Sequence, residues 1–580
     1  MARRVVLVCI DPWEETTEFQ PFNYSARRVQ AALRAAGVEA HVVDSRSREI
    51  EPLLERIEAL EPDIVGMSTY VWSFPLFVEL AQRLKERAPQ RLVIFGGPSA
   101  RTVMFDLPPF REARVHVDAL IDGEGENVIV QLAKLPSLDS SRLLELPGVS
   151  IPTALGWRKS KPAEFIEDLS LLPSPYALDL VPRGITAHLE TFRGCPLSCS
   201  FCQWGDGAAG ARMFSVERIV EDLEHFRRLG LSNAILVDAA LNLNSRAFRA
   251  LVEAERQTRV LRDIALSFEV YPSQLKDEHL TFLSDIRVNS IGVGLQSYDP
   301  AVTKRLERTF DPPRFERVVR DLANVGGQVT IEIIMGLPGD TPDSFRRTLA
   351  KARELPCDVR VFHCLVLPDA LLSRAPEWAA MEFDPVSLLM QSCAGWSKHD
   401  IASACEELSI TSSAAGGWGQ GSFWLFPRAG RAGTSGPEHA RAAPEPAPEP
   451  VELKVEPQEV MGPGKHEMDD DVELYRLATK VVSRATRGKW ALRRAIKESG
   501  RCLIVIDMAG QELTLELTAN EPNRPAFLVV SGVAITHRMV QERLGSDRER
   551  LLRTMMPAFA ELFHRTMTTI PKRQLPIAAP

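Results

Sequence analysis

Residues 191–202 read Thr-Phe-Arg-Gly-Cys-Pro-Leu-Ser-Cys-Ser-Phe-Cys and directly follow a predicted β-strand at 186–190. Cys195, Cys199 and Cys202 thus have the spacing C-x3-C-x2-C within eight residues. Cysteine thiolates are the usual ligands of a cubane 4Fe-4S cluster. Three of them on one loop bind three irons and leave the fourth iron open, as in catalytic metal sites. A zinc site would need a fourth Cys or His nearby, and none follows within the loop.

The chain after this loop alternates strands with helices. Apolar and β-branched runs predict strands at 186–190, 234–238, 264–270, 289–295, 328–334 and 360–366. A helix is predicted at 215–229, where Ser215 caps its start and Gly230 ends it. Six βα units without a seventh or eighth predict a partial (β/α)6 barrel over 185–370 that is open on one side.

The amino-terminal part shows a second alternating pattern. Strands are predicted at 4–9, 39–43, 63–68 and 92–95, and amphipathic helices at 25–36, 52–60 and 75–87. This pattern predicts an α/β domain over 1–140 with a doubly wound parallel sheet. Ligands of such sheets bind beyond the carboxyl ends of the strands.

The remaining segments are less regular. We divide them into a connector at 141–184, a post-barrel helical or lid segment at 371–435, a Pro/Glu/Ala-rich linker at 436–470 and a small α+β domain at 471–580. Glycines and aromatics at 411–426 fit a lid or an ordinary surface loop equally well. In the last domain we predict helices at 472–487 and 547–566, and strands at 502–507, 512–517 and 526–531, without assigning it a role.

Composition excludes several classes of function. The chain has 580 residues, 45% of them hydrophobic, and a net charge of −8, which predicts several domains and no strong nucleic-acid surface. No apolar run approaches the roughly 18 residues of a membrane helix, and the amino terminus lacks the core of a signal peptide. We therefore expect a cytoplasmic protein with a small-molecule or peptide substrate. Of the nine cysteines, the six outside the cluster motif are scattered and fit buried structural thiols.

The cysteine motif, with an aromatic residue before its last Cys, resembles the signature of the radical S-adenosylmethionine (SAM) superfamily. The resemblance implies that the open iron binds the amino and carboxylate groups of SAM, which is cleaved to a 5′-deoxyadenosyl radical by an electron from an external flavodoxin- or ferredoxin-like donor. Polar or glycine-rich segments also end the predicted strands, as barrel sites require. By resemblance, the SAM-binding residues are Phe201, Asp238, Glu269, Gln296, Ser297, Gly336 and Pro338.

Three segments of the first domain resemble the cobalamin-binding domain that precedes such barrels in related enzymes. They follow the third strand, follow the fourth strand and open the last helix, and their glycines allow close approach of a macrocycle. The implied cobalamin-binding residues are Ser68, Thr69, Tyr70, Val71, Trp72, Gly96, Gly97, Gly123, Glu124, Gly125 and Glu126. The loop after the first strand lacks the D-x-H-x-x-G motif of other cobalamin proteins, so we expect a corrinoid without a histidine ligand to cobalt.

The resemblance implies a class B radical SAM methyltransferase. In that family one SAM methylates cob(I)alamin, a second yields the radical that abstracts a substrate hydrogen, and the substrate radical takes the methyl group. For this chain we expect the acceptor to be an unreactive carbon, or else phosphorus, of a small specialised metabolite or peptide. Three other functions fit parts of the same sequence pattern: a cyclase or rearrangement enzyme with the same cofactors, a non-catalytic corrinoid sensor or carrier-binding protein, and a methylthiotransferase. The last is disfavoured because Cys9 is the only cysteine of the first domain, which cannot bind a second three-cysteine cluster.

Overall fold

A computed structural model describes residues 3–12, 22–204, 212–308, 310–420 and 422–428, and five strands between 491 and 535. It divides into two compact units, Met1–Ala447 and Pro448–Pro580. Within the described residues, no helix has the length and apolar character needed to cross a bilayer.

The first unit begins with a seven-stranded sheet in the order β2-β1-β3-β4-β5-β6-β7. Its strands are β1 Arg4–Ile10, β2 Glu39–Ser45, β3 Ile64–Ser68, β4 Leu92–Gly96, β5 Ala119–Ile121, β6 Val149–Thr153 and β7 Gly156–Lys159. The first five are parallel, β6 pairs antiparallel with β5, and β7 pairs antiparallel with β6. The predicted boundary at residue 140 therefore divides this sheet.

Helices cover both faces of this sheet, which confirms the doubly wound prediction. They are α1 Tyr24–Ala35, α2 Ile50–Glu58, α3 Phe74–Arg87, α4 Gly125–Lys134 and the short α5 Ser140–Leu143. Buried residues of α2 and α3 pack with one face of the sheet, and those of α1 and α4 pack with the other. The central strands β1, β3, β4 and β5 are almost wholly apolar, as expected for a parallel sheet buried on both sides.

The second sheet of this unit is the predicted partial barrel, and all six predicted strands are present. Its eight strands are β8 Ala187–Leu189, β11 Asn233–Leu236, β12 Ala265–Val270, β13 Val288–Gln296, β14 Gln328–Met335, β15 Asp358–His363, β18 Trp418–Gln420 and β19 Phe423–Phe426. The order is β18-β19-β15-β14-β13-β12-β11-β8, and β8 and β11–β15 are parallel. Two antiparallel pairs form separate two-stranded sheets: β9 Phe192–Arg193 with β10 Arg212–Met213, and β16 Glu382–Phe383 with β17 Met390–Ser392.

Helices follow the barrel strands along the chain. They are α6 Val216–Arg228, α7 Ser245–Thr258, α8 Asp277–Asp285, α9 Pro300–Arg305, α10 Pro312–Val325, α11 Pro342–Arg353, α12 Leu371–Arg374 and α13 Lys398–Ala414. As predicted for α6, the side chain of Ser215 accepts a hydrogen bond from the Arg218 backbone N–H, and Ile219 and Phe226 are buried. Gly230 has a φ of 66°, which suits the end of a helix.

Segment 411–426 is neither a lid nor a surface loop, so this part of the prediction is wrong. Its first residues end α13, and β18 and β19 form a hairpin that pairs antiparallel with β15. Trp424 and Phe426 are buried in the barrel core. The glycines and aromatics of this segment therefore build an edge of the barrel sheet.

The second unit contains a five-stranded antiparallel sheet in chain order. Its strands are β20 Ala491–Glu498, β21 Arg501–Asp507, β22 Glu512–Thr518, β23 Phe527–Val530 and β24 Val533–Ile535. The three strands predicted here are present, and β20 and β24 add to them. The predicted linker and the two helices predicted for this domain lie outside the described residues.

Candidate functional site

The cysteine loop, defined as residues 194–204, begins directly after β9 near the carboxyl end of β8. Gly194 starts it with a φ of 94°, a conformation that favours glycine. Cys199 is buried, Cys195 and Cys202 are half-buried, and all three thiols are free. Burial raises the pKa of Cys195 and of Cys202, and the charge of the nearby Cys199 thiol acts in the same direction. The structure thus brings the three predicted cluster ligands together on one loop.

Contacts from later segments support this loop. Arg374 donates to the carbonyl oxygens of Cys199, at 3.2 Å, and Cys202, at 2.9 Å. Ser198 Oγ lies 2.8 Å from Glu307 Oε2. Among the described residues, no three Cys, His, Asp or Glu side chains converge on a point that would hold one metal ion. In a cubane each thiolate binds its own iron, so its ligands need not converge on one point.

Two of the predicted SAM-binding side chains face the barrel interior. The side chain of Glu269 on β12 has access to solvent and makes no hydrogen bond or ion pair with another described residue. Despite this access, the surrounding barrel wall partly desolvates the carboxylate and so raises the pKa of Glu269, and the charge of Glu332 raises it further. Gln296 ends β13 with a φ of 63°, and its buried Oε1 has no partner among the described residues. Both side chains therefore offer polar atoms to a ligand.

The other four residues near these strand ends are more enclosed. Ser297, Gly336 and Pro338 are buried, and Phe201 packs against the barrel core. A Cβ at Gly336 would lie 2.9 Å from Ile401 Cδ1, so this glycine already serves internal packing. The structure places these residues at the predicted edge of the barrel but shows no polar side chain of theirs open to a ligand.

Asp238 has an internal role. Its carboxylate accepts hydrogen bonds from the Thr191 backbone N–H at 2.8 Å, from the Thr191 hydroxyl and from the Phe192 N–H at 3.3 Å. Burial raises the pKa of Asp238 to about 7, although the bonds from Thr191 oppose this shift. Asp238 therefore fixes the segment that leads into the cysteine loop, and its carboxylate is already occupied.

Three charged residues in and beside the barrel interior are not among the predicted site residues. Glu332 on β14 pairs with Arg360 on β15, with Oε1 and Nη1 3.3 Å apart. Arg308 donates to the Gly294 carbonyl at 2.6 Å. Glu332 lies on the predicted fifth strand four residues before Gly336, yet an acidic residue in a strand has no local feature that marks it as a site residue.

Residues 68–72 follow β3, as predicted for a corrinoid loop. Tyr70 and Trp72 stack with their ring centroids 4.5 Å apart. Trp72 also donates to the Ile10 carbonyl at 3.1 Å, while Thr69 is fully buried. Ser68 and Val71 are half-buried at the same edge of the sheet. The loop is thus fixed by its own contacts and presents an aromatic pair at the carboxyl end of the strands.

The first glycine loop, defined as residues 96–99, lies beside it. The Thr69 N–H donates to the Gly96 carbonyl at 2.7 Å, and the Ser99 N–H donates to the Thr69 carbonyl at 3.1 Å. Gly97 has a φ of 104°, and a Cβ there would lie 2.9 Å from the Thr69 carbonyl oxygen. A Cβ at Gly96 would meet open space, and the buried Ser99 hydroxyl has no partner among the described residues. This loop therefore has room and an unused polar group.

The second glycine loop, defined as residues 122–126, is partly occupied by protein contacts. A Cβ at Gly123 would lie 2.8 Å from Ala163 Cβ, whereas one at Gly125 would make an ordinary contact. Glu126 Oε1 lies 2.6 Å from Arg193 Nη2, and Glu124 Oε2 lies 2.8 Å from Arg212 Nη1. Both carboxylates thus point toward the barrel.

His41 lies on β2, away from both glycine loops in the sequence. It forms an ion pair with Glu39 on the same strand, with Nε2 and Oε1 3.0 Å apart.

Two family models match the chain where these two sheets lie. Residues 15–133 match the B12 binding domain, and residues 189–352 match the Radical SAM superfamily. The chain therefore contains a domain of the Radical SAM superfamily preceded by a B12 binding domain. Both resemblances inferred from the sequence are confirmed.

Curated relatives include methyltransferases of a Streptantibioticus and a Streptomyces species. The 2-(S-pantetheinyl)-carbapenam-3-carboxylate methyltransferase of Streptantibioticus cattleyicolor is 29% identical over 328 residues, which are 53% of this chain and 48% of that protein. The cobalamin-dependent radical SAM methyltransferase TokK of Streptomyces tokunonensis is 29% identical over 344 residues, 56% of this chain and 50% of that protein. This chain thus spans about half the length of these relatives.

Solved structures share the fold. TsrM from Kitasatospora setae, a radical SAM methyltransferase determined with cobalamin and a 4Fe-4S cluster bound, superposes with a TM-score of 0.53 at 19% identity and covers 66% of this chain and 75% of its own. OxsB, a cobalamin-dependent SAM radical enzyme determined with aqua-cobalamin and SAM bound, superposes with a TM-score of 0.56 at 17% identity. The match covers 71% of this chain and 67% of the OxsB chain. These likenesses confirm the arrangement of the two sheets.

Proposed function

We propose that this chain is a cobalamin-dependent radical SAM methyltransferase that acts on an unreactive carbon, or less commonly phosphorus, of a small metabolite or peptide. The observation that carries the proposal is the cysteine loop, whose three thiols lie together after the first barrel strand of a chain that also has a B12 binding domain. Three thiolates suit a cluster with one open iron.

The residues present fit the cluster and SAM. Cys195, Cys199 and Cys202 would hold three irons, and Arg374 would keep the loop in shape through its two carbonyl contacts. Glu269 would accept hydrogen bonds from a cationic group of SAM, and the unpaired Oε1 of Gln296 would accept another. When bound, the cluster with SAM would supply a 5′-deoxyadenosyl radical, and cobalamin a transferable methyl group.

Part of the predicted corrinoid set also fits. The space at Gly96 suits close approach of a macrocycle, and the unpaired hydroxyl of Ser99, which was not in the predicted set, suits one hydrogen bond to it. The aromatic pair Tyr70 and Trp72 offers a flat apolar surface at the same edge. Glu124 and Glu126 fit less well, because their carboxylates already bind arginines.

The test replaces the three cluster cysteines by serine in the full chain. Anaerobically reconstituted wild-type protein should contain about four irons per chain and release 5′-deoxyadenosine from SAM under reduction. Cys195→Ser/Cys199→Ser/Cys202→Ser should lose both properties. Cys405→Ser, which removes a half-buried thiol elsewhere in the barrel, is the matched control and should retain both. Equal iron content and equal SAM cleavage in wild type and triple variant would contradict the proposal.

A cyclase with the same cofactors is the second candidate. Two anaerobic magnesium-protoporphyrin IX monomethyl ester cyclases, from Cereibacter sphaeroides and Rubrivivax gelatinosus, are 23% and 22% identical over 55% and 56% of this chain. Product mass separates the two activities, since each methylation adds about 14 Da to the substrate. A methylated product should appear when a gene-deleted strain is compared with its parent, whereas a product with unchanged carbon count favours the cyclase.

A further inference from the structure

The segment just before the cysteine loop is tied to the B12 binding domain. Arg193, which ends β9, contacts Glu126 at 2.6 Å and Glu124 at 3.2 Å in the second glycine loop. Arg193 also pairs with Glu190, which follows β8, with Nε and Oε1 2.7 Å apart. Because Arg193 stands two residues before Cys195, this ion pair joins the cysteine loop to a predicted corrinoid-binding segment.

These residues belong to a larger buried network, the interface network. It contains three cations, Arg28, Arg193 and Arg212, and three anions, Glu124, Glu126 and Glu190. Each side chain is at most 16% exposed. Burial disfavours ionised Glu126, but Arg193 outweighs it and holds the pKa of Glu126 below its ordinary value. Since an unpaired buried charge is costly, the six groups depend on one another's positions.

The end of the cysteine loop is tied to the same domain at another point. Gln203 follows the last cluster cysteine, and its side-chain amide donates to the Pro98 carbonyl at 3.1 Å and to the Pro368 carbonyl at 2.7 Å. Pro98 belongs to the first glycine loop. Arg101, three residues further on, forms an ion pair with Asp369 of the barrel domain. Its Nη2 also lies 3.3 Å from Oδ1 of Asp122 in the second glycine loop.

We propose that Arg193 and Gln203 are positioning residues that couple the cluster site to the corrinoid site. This inference rests on the proposed function. Arg193, directly before the cysteine loop, contacts the second glycine loop, and Gln203, near the end of the cysteine loop, contacts the first. An ordered cysteine loop therefore orders both glycine loops. Binding of the cluster therefore raises affinity for the corrinoid, and linkage requires the reverse effect to be equal.

The contacts explain why these two side chains carry the coupling. Arg193 offers a planar fork that binds carboxylates from two different segments at once, which a lysine ammonium cannot reproduce. Gln203 bridges two backbone carbonyls, one from each domain, and is half-buried. Neither side chain needs to touch substrate or cofactor to act in this way.

The experiment measures the affinity of the full chain for hydroxocobalamin by equilibrium dialysis, with the cluster reconstituted and after its removal by a chelator. The quantity compared is the affinity ratio, which is the affinity for hydroxocobalamin with the cluster divided by the affinity without it. In the wild type we expect an affinity ratio of about ten. Gln203→Met, which breaks two hydrogen bonds and leaves the interface network intact, should reduce this ratio to about threefold. Arg193→Met with Gln203→Met should bring it to about one, and Arg193→Lys should restore it only in part.

Two matched controls remove similar groups elsewhere. Gln30→Met deletes a buried amide that donates to the Ala40 carbonyl, and Arg218→Met breaks a buried ion pair with Asp222. Both should keep the tenfold ratio. A merely structural role of Arg193 or Gln203 would lower both affinities and leave their ratio unchanged. If the double variant is unstable, the affinity ratio of Gln203→Met alone tests the coupling.

Four results would contradict the coupling, the proposed function or both. Equal affinity with and without the cluster in the wild type contradicts the coupling, as does an unchanged ratio in Gln203→Met. A chain that binds no hydroxocobalamin in either state contradicts the proposed function together with the coupling. A chain that shows the coupling but transfers no methyl group contradicts the proposed function alone.

Discussion

The carboxylate of Glu269 lies directly against the backbone of Gly292 on the neighbouring strand. The two residues are partners in the register of β12 and β13, and a Cβ built on Gly292 would lie 2.1 Å from Glu269 Oε1. A carboxylate can occupy this position in the barrel interior only because its neighbour has no side chain. The glycine thus determines where an acidic group faces the ligand space.

Gly292→Ala should displace this carboxylate without unfolding the barrel. The atoms that clash belong to the end of a flexible side chain, so Glu269 can rotate away, and we expect the free energy of unfolding to change by less than about 1 kcal/mol. SAM affinity of the reconstituted protein should fall about tenfold or more, as in Glu269→Gln, because a charge-assisted hydrogen bond is lost. Isothermal titration with SAM measures this. Ser290→Ala, on the same strand, is the control, and unchanged affinity in Gly292→Ala would show that Glu269 does not bind SAM.

Arg374→Met should make the cluster easier to remove. The guanidinium of Arg374 donates to two carbonyl oxygens of the cysteine loop, and its loss leaves the loop less restrained. Residues that orient metal ligands typically contribute about tenfold or more to metal retention. Decay of the visible absorption of the cluster in a chelator measures the effect. Arg256→Met breaks an exposed ion pair with Glu253 and should decay at the wild-type rate.

Local sequence patterns were sufficient for most of the fold. The barrel strands were recognised because β-branched runs alternate with amphipathic helices, and α6 because Ser215 and Gly230 mark its ends. The β18–β19 hairpin was missed because its glycines and aromatic rings also suit a loop. Its place in the barrel depends on pairing with β15, some 60 residues earlier, which leaves no local pattern.

The site residues also divide into those that a local sequence pattern predicts and those that depend on contacts with distant segments. The three cysteines could be identified because ligand spacing on one loop is a local property. Glu124 and Glu126 were predicted to bind corrinoid because they lie in a glycine-rich strand-to-helix loop, yet their partners Arg193 and Arg212 come from the barrel. Glu126 and Arg193 are 67 residues apart in the chain, and an ion pair over such a separation cannot be read from either segment alone.

Trp424→Ala should strongly destabilise the protein, because the hairpin belongs to the barrel core. The indole is buried, and its Nε1 donates to Ser409 Oγ at 2.9 Å. Truncation of a buried aromatic ring costs about 3–5 kcal/mol of unfolding free energy. Urea denaturation measures the loss, and Trp378→Ala at an exposed tryptophan should cost much less. If Trp424→Ala kept full stability and changed only SAM turnover, the hairpin would act as a lid after all.

Asp238 should make stability depend on pH between about 4 and 7. Burial raises the pKa of Asp238 from 3.8 to about 7, so the folded protein retains this proton to higher pH than the unfolded chain. The contribution of the neutral carboxyl is complete below the unfolded pKa and is lost as pH rises through the folded pKa. In Asp238→Asn the side chain at this position is uncharged at every pH, so this pH dependence of stability is removed.

We therefore expect wild-type protein to lose about 2 kcal/mol more unfolding free energy than Asp238→Asn between pH 5 and pH 8. Urea denaturation at the two pH values measures the difference, and other titrating groups cancel because both proteins share them. Asp285→Asn, at an exposed position, is the control and should keep the wild-type slope. Parallel curves for wild type and Asp238→Asn would mean that the carboxylate stays ionised against Thr191, and that its hydrogen bonds outweigh its burial.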